Sequence, residues 1–212
     1  MKQIHVTFPC GELTLEGVYH LPEGPGPFPA VVVCHPHPLY GGSMDNNVVY
    51  AVCQALQERG IAALRFNTRG TGRSEGSFGG GIAEAEDIKA AIAFAASAED
   101  VDPKRIGIAA YSFGAIVSFS AALPEEVQAV AAISPPLAMA PLDGLRSYLQ
   151  PKLLVSGGGD NFTPKQAFEG FCQGLPEPKE CEVIPGADHF WWGYEEEVGE
   201  RVASFFASAI GD

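Results

Sequence analysis

Arg105-Ile106-Gly107-Ile108-Ala109-Ala110-Tyr111-Ser112-Phe113-Gly114-Ala115-Ile116-Val117-Ser118 is the stretch on which the fold turns. Arg105 to Tyr111 is a mostly apolar run of strand length, and Phe113 to Ala122 is Ala-rich and helix-like. A serine therefore stands where a strand bends sharply into a helix. A hydroxyl is a weak nucleophile unless a base takes its proton and backbone donors hold the oxyanion, so such a turn must lift Ser112 clear of its own sheet. Small residues two positions either side permit this. Gly114 lets the helix approach the strand without a side-chain clash, and Ala110 is one methyl larger than the first glycine of the G-x-S-x-G pattern.

Working outward, the same alternation recurs. Ile4 to Phe8 and Leu13 to Tyr19 alternate apolar and polar residues around Cys10-Gly11, as an antiparallel opening hairpin does. Ala30-Val31-Val32-Val33-Cys34 is continuously apolar, the composition of a parallel strand buried on both faces. A helix from Asn46 to Arg59, a strand from Ile61 to Phe66 and a helix from Ala83 to Ala98 lead to the stretch quoted above. Strands at Val127–Ser134, Lys152–Ser156 and Glu180–Ile184 follow, with helices near Pro164–Gly174 and Tyr194–Ile210. The pattern predicts one doubly wound α/β domain over residues 1–212, its sheet mostly parallel behind an antiparallel N-terminal hairpin. Pro135 to Pro151 has room for one short helix and none for a lid domain.

A chain of 212 residues can bury roughly 70% of its unfolded surface in one domain. Thirteen Lys and Arg against 26 Asp and Glu give a net charge of -13, which opposes binding to nucleic acid or anionic membranes. The amino terminus lacks a continuous apolar signal core and no run is long enough to span a bilayer, so a cytoplasmic protein is expected. The five cysteines are scattered without a C-x-x-C pair, and reduced thiols are the expectation.

Chain order tests the serine. In hydrolases built on such an elbow the acid and then the histidine follow it, and His189 is the only one of the five histidines beyond Ser112. It lies in Gly186-Ala187-Asp188-His189-Phe190, just after the last strand, where a loop reaches the carboxyl end of the sheet. The acid must orient the imidazole from another strand end, and Asp160 follows Leu153 to Ser156 and three glycines. Against this, Asp160 could merely close a turn. Thr163-Pro164 looks like the better cap of the next helix, which leaves Asp160 otherwise unexplained. Ser112 could likewise be only a helix N-cap, a role worth about 0.5–2 kcal/mol.

Two N–H donors must meet an oxyanion. Phe113 follows the nucleophile, and the second donor belongs to the loop His35-Pro36-His37-Pro38-Leu39-Tyr40-Gly41-Gly42. Pro36 and Pro38 have no N–H, so His37 is the first choice, with Leu39 and Tyr40 as alternatives. His35 and His37 without a third ligand make a poor metal site. Phe66 to Gly76 is Gly-rich after a strand, yet Glu75 stands where a dinucleotide fingerprint needs glycine and no Walker lysine is present.

Taken together, the elbow, the His35–Gly42 loop, the segment Arg69-Gly70-Thr71-Gly72-Arg73-Ser74-Glu75-Gly76, Asp160 and His189 resemble an α/β hydrolase over almost the whole chain. More narrowly, Cys34-His35-Pro36-His37-Pro38 with Gly41-Gly42-Ser43-Met44 and Asn47 is similar to small lidless bacterial hydrolases related to the dienelactone hydrolases and acyl-peptidase catalytic domains. The members of that group are described mostly as esterases. Dienelactone hydrolases carry cysteine at the elbow where this chain has Ser112, so their particular substrate is not implied. His35-Pro36 also replaces the usual His-Gly of the oxyanion loop.

The expected activity is hydrolysis of a small-molecule carboxylic ester through an acyl-enzyme, with Ser112 as nucleophile, His189 as base and then acid, and Asp160 holding the tautomer. Phe113 and His37 hold the oxyanion; no metal or organic cofactor is called for. Thioesterases and peptidases share this machinery, and a non-catalytic binding protein on the same fold is the alternative from another class. Phe162, Phe190, Trp191, Trp192 and Tyr40 sit beside the site as candidate pocket walls.

Overall fold

The computed structural model describes residues 2–211. Lys2–Cys10 (β1) and Leu13–Leu21 (β2) pair antiparallel, Lys2 opposite Leu21 and Cys10 opposite Leu13. The sheet continues through Phe28–Cys34 (β3), Ala62–Phe66 (β4), Val101–Tyr111 (β5), Val127–Ile133 (β6), Lys152–Gly157 (β7) and Lys179–Ile184 (β8). Its order is β1-β2-β4-β3-β5-β6-β7-β8; β2 meets β4 antiparallel and every later pairing is parallel. The helices are Asn47–Glu58 (α1), Glu84–Ala96 (α2), Phe113–Phe119 (α3), Asp143–Ser147 (α4), Lys165–Gln173 (α5) and Glu195–Ile210 (α6). The α/β-hydrolase architecture with its N-terminal hairpin is as expected, and between Pro135 and Pro151 stands only the five-residue α4, so among the described residues this connection builds no lid domain.

The second half of β5, Ile106 to Tyr111, shows why that stretch is apolar throughout. Ile106, Ile108 and Ala110 join the core formed with α2, α3 and α5, while Ala109 and Tyr111 join the opposite core formed with α1 and α6. Both faces exclude water from Ile106 onward, so alternation of polar residues is not available to this half of the strand. Gly107 marks a close approach: a Cβ there would stand 2.5 Å from the ring of Phe206 on α6. Burying a ring of that size contributes about 1.5–3 kcal/mol, which explains why the strand yields its side chain to it.

The order of strands also places the site. From β3 the chain moves one way to β4, then returns to the other edge of β3 with β5, so the winding reverses between β3 and β5. The crevice beyond the carboxyl ends of strands at such a reversal is where open α/β sheets take ligands. The loop after β3 and the turn after β5 both open onto it.

Some boundaries differ from the sequence expectation. β5 begins at Val101 because Val101 pairs with Phe28 before a register shift leads to Ala30 opposite Ile106. α3 stops at Phe119, where the Ser120 hydroxyl donates back to the Ile116 carbonyl and Pro124 lies ahead. The expectation of five reduced thiols is corrected: Cys172 on α5 and Cys181 on β8 form a disulfide, with their Cα atoms 6.4 Å apart. The two residues are nine apart in the chain and meet only because α5 packs on the β8 edge of the sheet. Cys10, Cys34 and Cys53 are free and buried.

Candidate active site

Ser112 occupies a backbone conformation of φ 54° and ψ -117°, which a side-chain-bearing residue adopts only when its surroundings compel it. Its N–H donates to Ile133 O at 2.9 Å, and its carbonyl accepts from Ala115 N at 2.9 Å. Gly114 is obligatory here: a Cβ would fall 2.7 Å from His35 O and 2.9 Å from Cys34 O, so α3 could not sit this close to the end of β3. The Ser112 side chain makes no capping bond to α3. It faces His189 instead, Oγ to Nε2 at 2.9 Å.

His189 Nδ1 lies 2.9 Å from Asp160 Oδ2. Both residues are buried, and Ser112 is partly exposed toward the crevice. The other oxygen of Asp160, Oδ1, accepts from Phe162 N at 2.8 Å and Thr163 N at 3.0 Å. Turn closure and pairing with histidine are therefore not alternatives, since one oxygen does each. The proposed Thr163 cap is corrected as well: the Thr163 hydroxyl donates to Pro135 O, and α5 begins after Pro164 without a side-chain cap. Burial alone would push the Asp160 carboxyl up, yet His189 beside it, the Ser134 hydroxyl and the Phe162 N–H hold it below its ordinary value. An ionised Asp160 assigns the proton to Nδ1 of His189, leaving Nε2 free to accept from Ser112.

The loop carrying His189 is braced by residues whose bracing role had no signal in the sequence. Tyr111 donates its hydroxyl to His189 O at 2.7 Å. Asp188 Oδ1 accepts from Phe190 N and Trp191 N, both at 2.9 Å, and Asn47 Nδ2 reaches Phe190 O at 3.1 Å. Trp191, fully buried at φ 62°, donates its indole N–H to Ser134 Oγ at 3.1 Å. Ser134 follows the last residue of β6 and is itself at φ 43°. It read as a boundary residue because its partners, Trp191 and Asp160, are brought to it only by the sheet.

Across the crevice the loop after β3 folds into a 3-10 turn at Pro38–Tyr40. Leu39 N donates to His37 Nδ1 at 3.2 Å, Tyr40 N and Gly42 N to His37 O at 3.1 and 3.0 Å, and Gly41 N to Pro38 O at 3.2 Å. Among the described residues neither His37 N nor Phe113 N donates to any acceptor. Of the candidates for a second oxyanion donor, the Leu39 and Tyr40 amides are thus engaged in the turn and the His37 amide is not. The rings of His37 and Phe113 lie 4.3 Å apart.

His35 is not a free ligand for a metal. Its Nδ1 meets Pro36 O at 2.6 Å, its Nε2 accepts from Thr68 N at 3.1 Å, and burial pushes its pKa down. No cluster of three or more His, Cys, Asp or Glu among the described residues could hold a metal ion. The Gly-rich segment after β4 is internally braced: Ser74 Oγ donates to Asn67 O at 2.7 Å, and Arg69 pairs with the buried Asp87 of α2. Arg65 on β4 is buried too and ties down Asp45 and Met44 O ahead of α1.

Ser112 and His189 open into a cavity of about 540 Å³ walled by Tyr40, Phe113, Ile116, Met139, Phe162 and Phe190 among others, with no Asp, Glu, Lys or Arg in its lining. No helix among the described residues is long and apolar enough to cross a membrane.

The reversal between β3 and β5, the strained serine turn and the open top of the sheet define an α/β hydrolase of the serine type. Residues 14–180 match the X-Pro dipeptidyl-peptidase (S15) family, and the chain belongs to it. The matched stretch takes in Ser112 and Asp160 and ends before His189. An α/β serine hydrolase homologue from Coxiella burnetii is 32% identical, covers 96% of this chain and 97% of its own, and superposes with a TM-score of 0.85. A serine hydrolase without a lid from Xanthomonas campestris is 28% identical with a TM-score of 0.87, covering 100% of this chain and 97% of its own. An uncharacterised protein of Rickettsia prowazekii is 29% identical, covering 97% of this chain and 88% of its own length.

Proposed function

We propose that the protein hydrolyses an uncharged carboxylic ester through an acyl-enzyme on Ser112. The observation that carries this reading is the unbroken chain from Ser112 Oγ to His189 Nε2 and from His189 Nδ1 to Asp160 Oδ2, each link 2.9 Å, beside a cavity whose lining includes His37 and Phe113, the two residues with unengaged amides. Ser112 Oγ attacks the ester carbon while His189 takes its proton; the oxyanion so formed is held by the two N–H groups. Collapse breaks the bond to the alcohol oxygen, which leaves with the proton from His189. Water, deprotonated by the same imidazole, then attacks the acyl-enzyme and returns Ser112 to its starting state. Asp160 stabilises the imidazolium and keeps the tautomer in place.

The family's name describes removal of dipeptides, a task in which a carboxylate is the strongest partner for the protonated amino terminus of a peptide. The cavity lining offers none, and it has no Lys or Arg to receive the phosphates of a coenzyme A thioester. Neutral esters fit an uncharged, aromatic-lined cavity better than either.

Reaction with a fluorophosphonate probe and turnover of a short neutral ester, compared with Gly-Pro-p-nitroanilide, test the reading. The wild type should label and hydrolyse the ester. Ser112→Ala should stay folded, fail to label and lose about 10⁶ in kcat. Labelling that persists in that variant, or release of nitroaniline at a rate matching ester cleavage, contradicts the proposal.

A further inference from the structure

Phe162 and Phe190 are large rings that the fold leaves uncovered, each 51% exposed, although both line the cavity. They flank the base. Their centroids lie 4.5 and 5.5 Å from the imidazole of His189 and 6.4 Å from each other, edge to face at 86°. Their backbones are fixed: Phe162 N donates to Asp160, Phe190 N to Asp188, and Phe190 O accepts from Asn47. Two half-exposed rings on immobile backbone are an apolar surface prepared for an apolar partner, because covering them removes carbon from water at little cost in ordering.

The chemistry says which part of a substrate meets them. In the reading proposed above, on which this inference rests, His189 Nε2 receives the proton of Ser112 Oγ and passes it to the alcohol oxygen as the acyl–oxygen bond breaks. That oxygen must come within hydrogen-bond reach of Nε2, so the group attached to it lies on the imidazole side of Ser112. The acyl carbonyl oxygen is held on the other side, by the amides of His37 and Phe113. We infer that Phe162 and Phe190 form a leaving-group subsite, and that the preferred ester carries an uncharged, ring-bearing alcohol. Ring partners favour offset or edge-to-face contacts, which the perpendicular pair offers from two directions.

Benzyl acetate and methyl acetate test this, because benzyl alcohol and methanol are almost equally acidic and differ as leaving groups chiefly in the ring. Methyl phenylacetate puts the same ring on the acyl side. In the wild type kcat/KM for benzyl acetate should exceed that for methyl acetate by about tenfold or more. In Phe162→Ala/Phe190→Ala that ratio should fall about tenfold, largely through KM, while the ratio of methyl phenylacetate to methyl acetate stays within about twofold of the wild type. Phe162→Leu/Phe190→Leu should restore part of the lost preference, since apolar area returns without the ring. An active enzyme with no benzyl preference, or whose variant loses the phenylacetate ratio instead, overturns the subsite alone. A folded wild type that neither labels with fluorophosphonate nor hydrolyses methyl acetate overturns the ester reading together with it.

Discussion

On the β3 side of the cavity the turn at Pro38–Tyr40 engages the amides of Leu39, Tyr40, Gly41 and Gly42 and leaves that of His37 without an acceptor. On the β7–β8 side both oxygens of Asp160 and both nitrogens of His189 already have partners. The contrast follows from when charge is present. Asp160 is ionised throughout and buried, so it must be compensated at all times. An oxyanion exists only during reaction, so the groups that meet it stand ready and unengaged beforehand. The first side is an arrangement of backbone, the second of side chains.

The largest effect that would break this contrast is at the acid. Asp160→Asn can keep the turn through its carbonyl oxygen, but its amide faces His189 Nδ1 and reverses the tautomer; kcat should fall about 10⁴-fold with the fold intact. Ester turnover within about tenfold of the wild type would remove Asp160 from the proposed machinery. Next comes the backbone side. His37 has φ -58° and ψ 119°, a conformation proline adopts, so His37→Pro deletes the N–H at a position whose own backbone suits proline. It should lose about 10²–10³ in kcat relative to His37→Ala, which loses the same ring and keeps the N–H. Equal rates in the two variants would move the second donor elsewhere. The smallest effect is on stability. The Asp160 carboxyl is held below its ordinary value, so its contribution is complete above the unfolded pKa of about 3.9 and is lost as pH falls through the lower folded one. Urea midpoints followed from pH 6 downward should therefore drop more steeply for the wild type than for Asp160→Asn. Parallel curves would mean that the carboxylate is not stabilised by its partners.

Legibility in the sequence divides along the same line. Elements set by local pattern were readable: the helix expected from Asn46 to Arg59, which is α1 with Asn46 as its cap, the apolar run of β3, and the serine between a strand and an Ala-rich helix. The juxtaposition of Ser112, Asp160 and His189 was readable because loops after successive parallel strands must emerge at one end of the sheet. Asp160 was only half readable, since turn closure and pairing with histidine looked like rivals until its two oxygens were seen to be separate acceptors. Trp191, expected as a pocket wall, is buried behind the cavity lining, and Trp192 lies outside it. The bracing roles of Tyr111, Ser134 and Trp191 were not readable. Each carries one polar atom among apolar ones, and its partner lies 57 to 78 residues away. The same is true of Cys172 and Cys181, whose meeting depends on where α5 docks and not on their spacing.

That disulfide joins the helix after Asp160 to the strand before His189, and so shortens the tether between acid and base. Along the chain they are 29 residues apart, and through the bridge roughly 20. The gain in effective concentration is small, about 0.3 kcal/mol, because closure entropy grows only with the logarithm of length. The bridge therefore resists loss of the whole edge of the sheet, while the alignment of imidazole and carboxylate is left to Tyr111, Asn47 and the Asp188 turn. Reducing it should change how readily the protein unfolds and leave the geometry at Ser112 as it was.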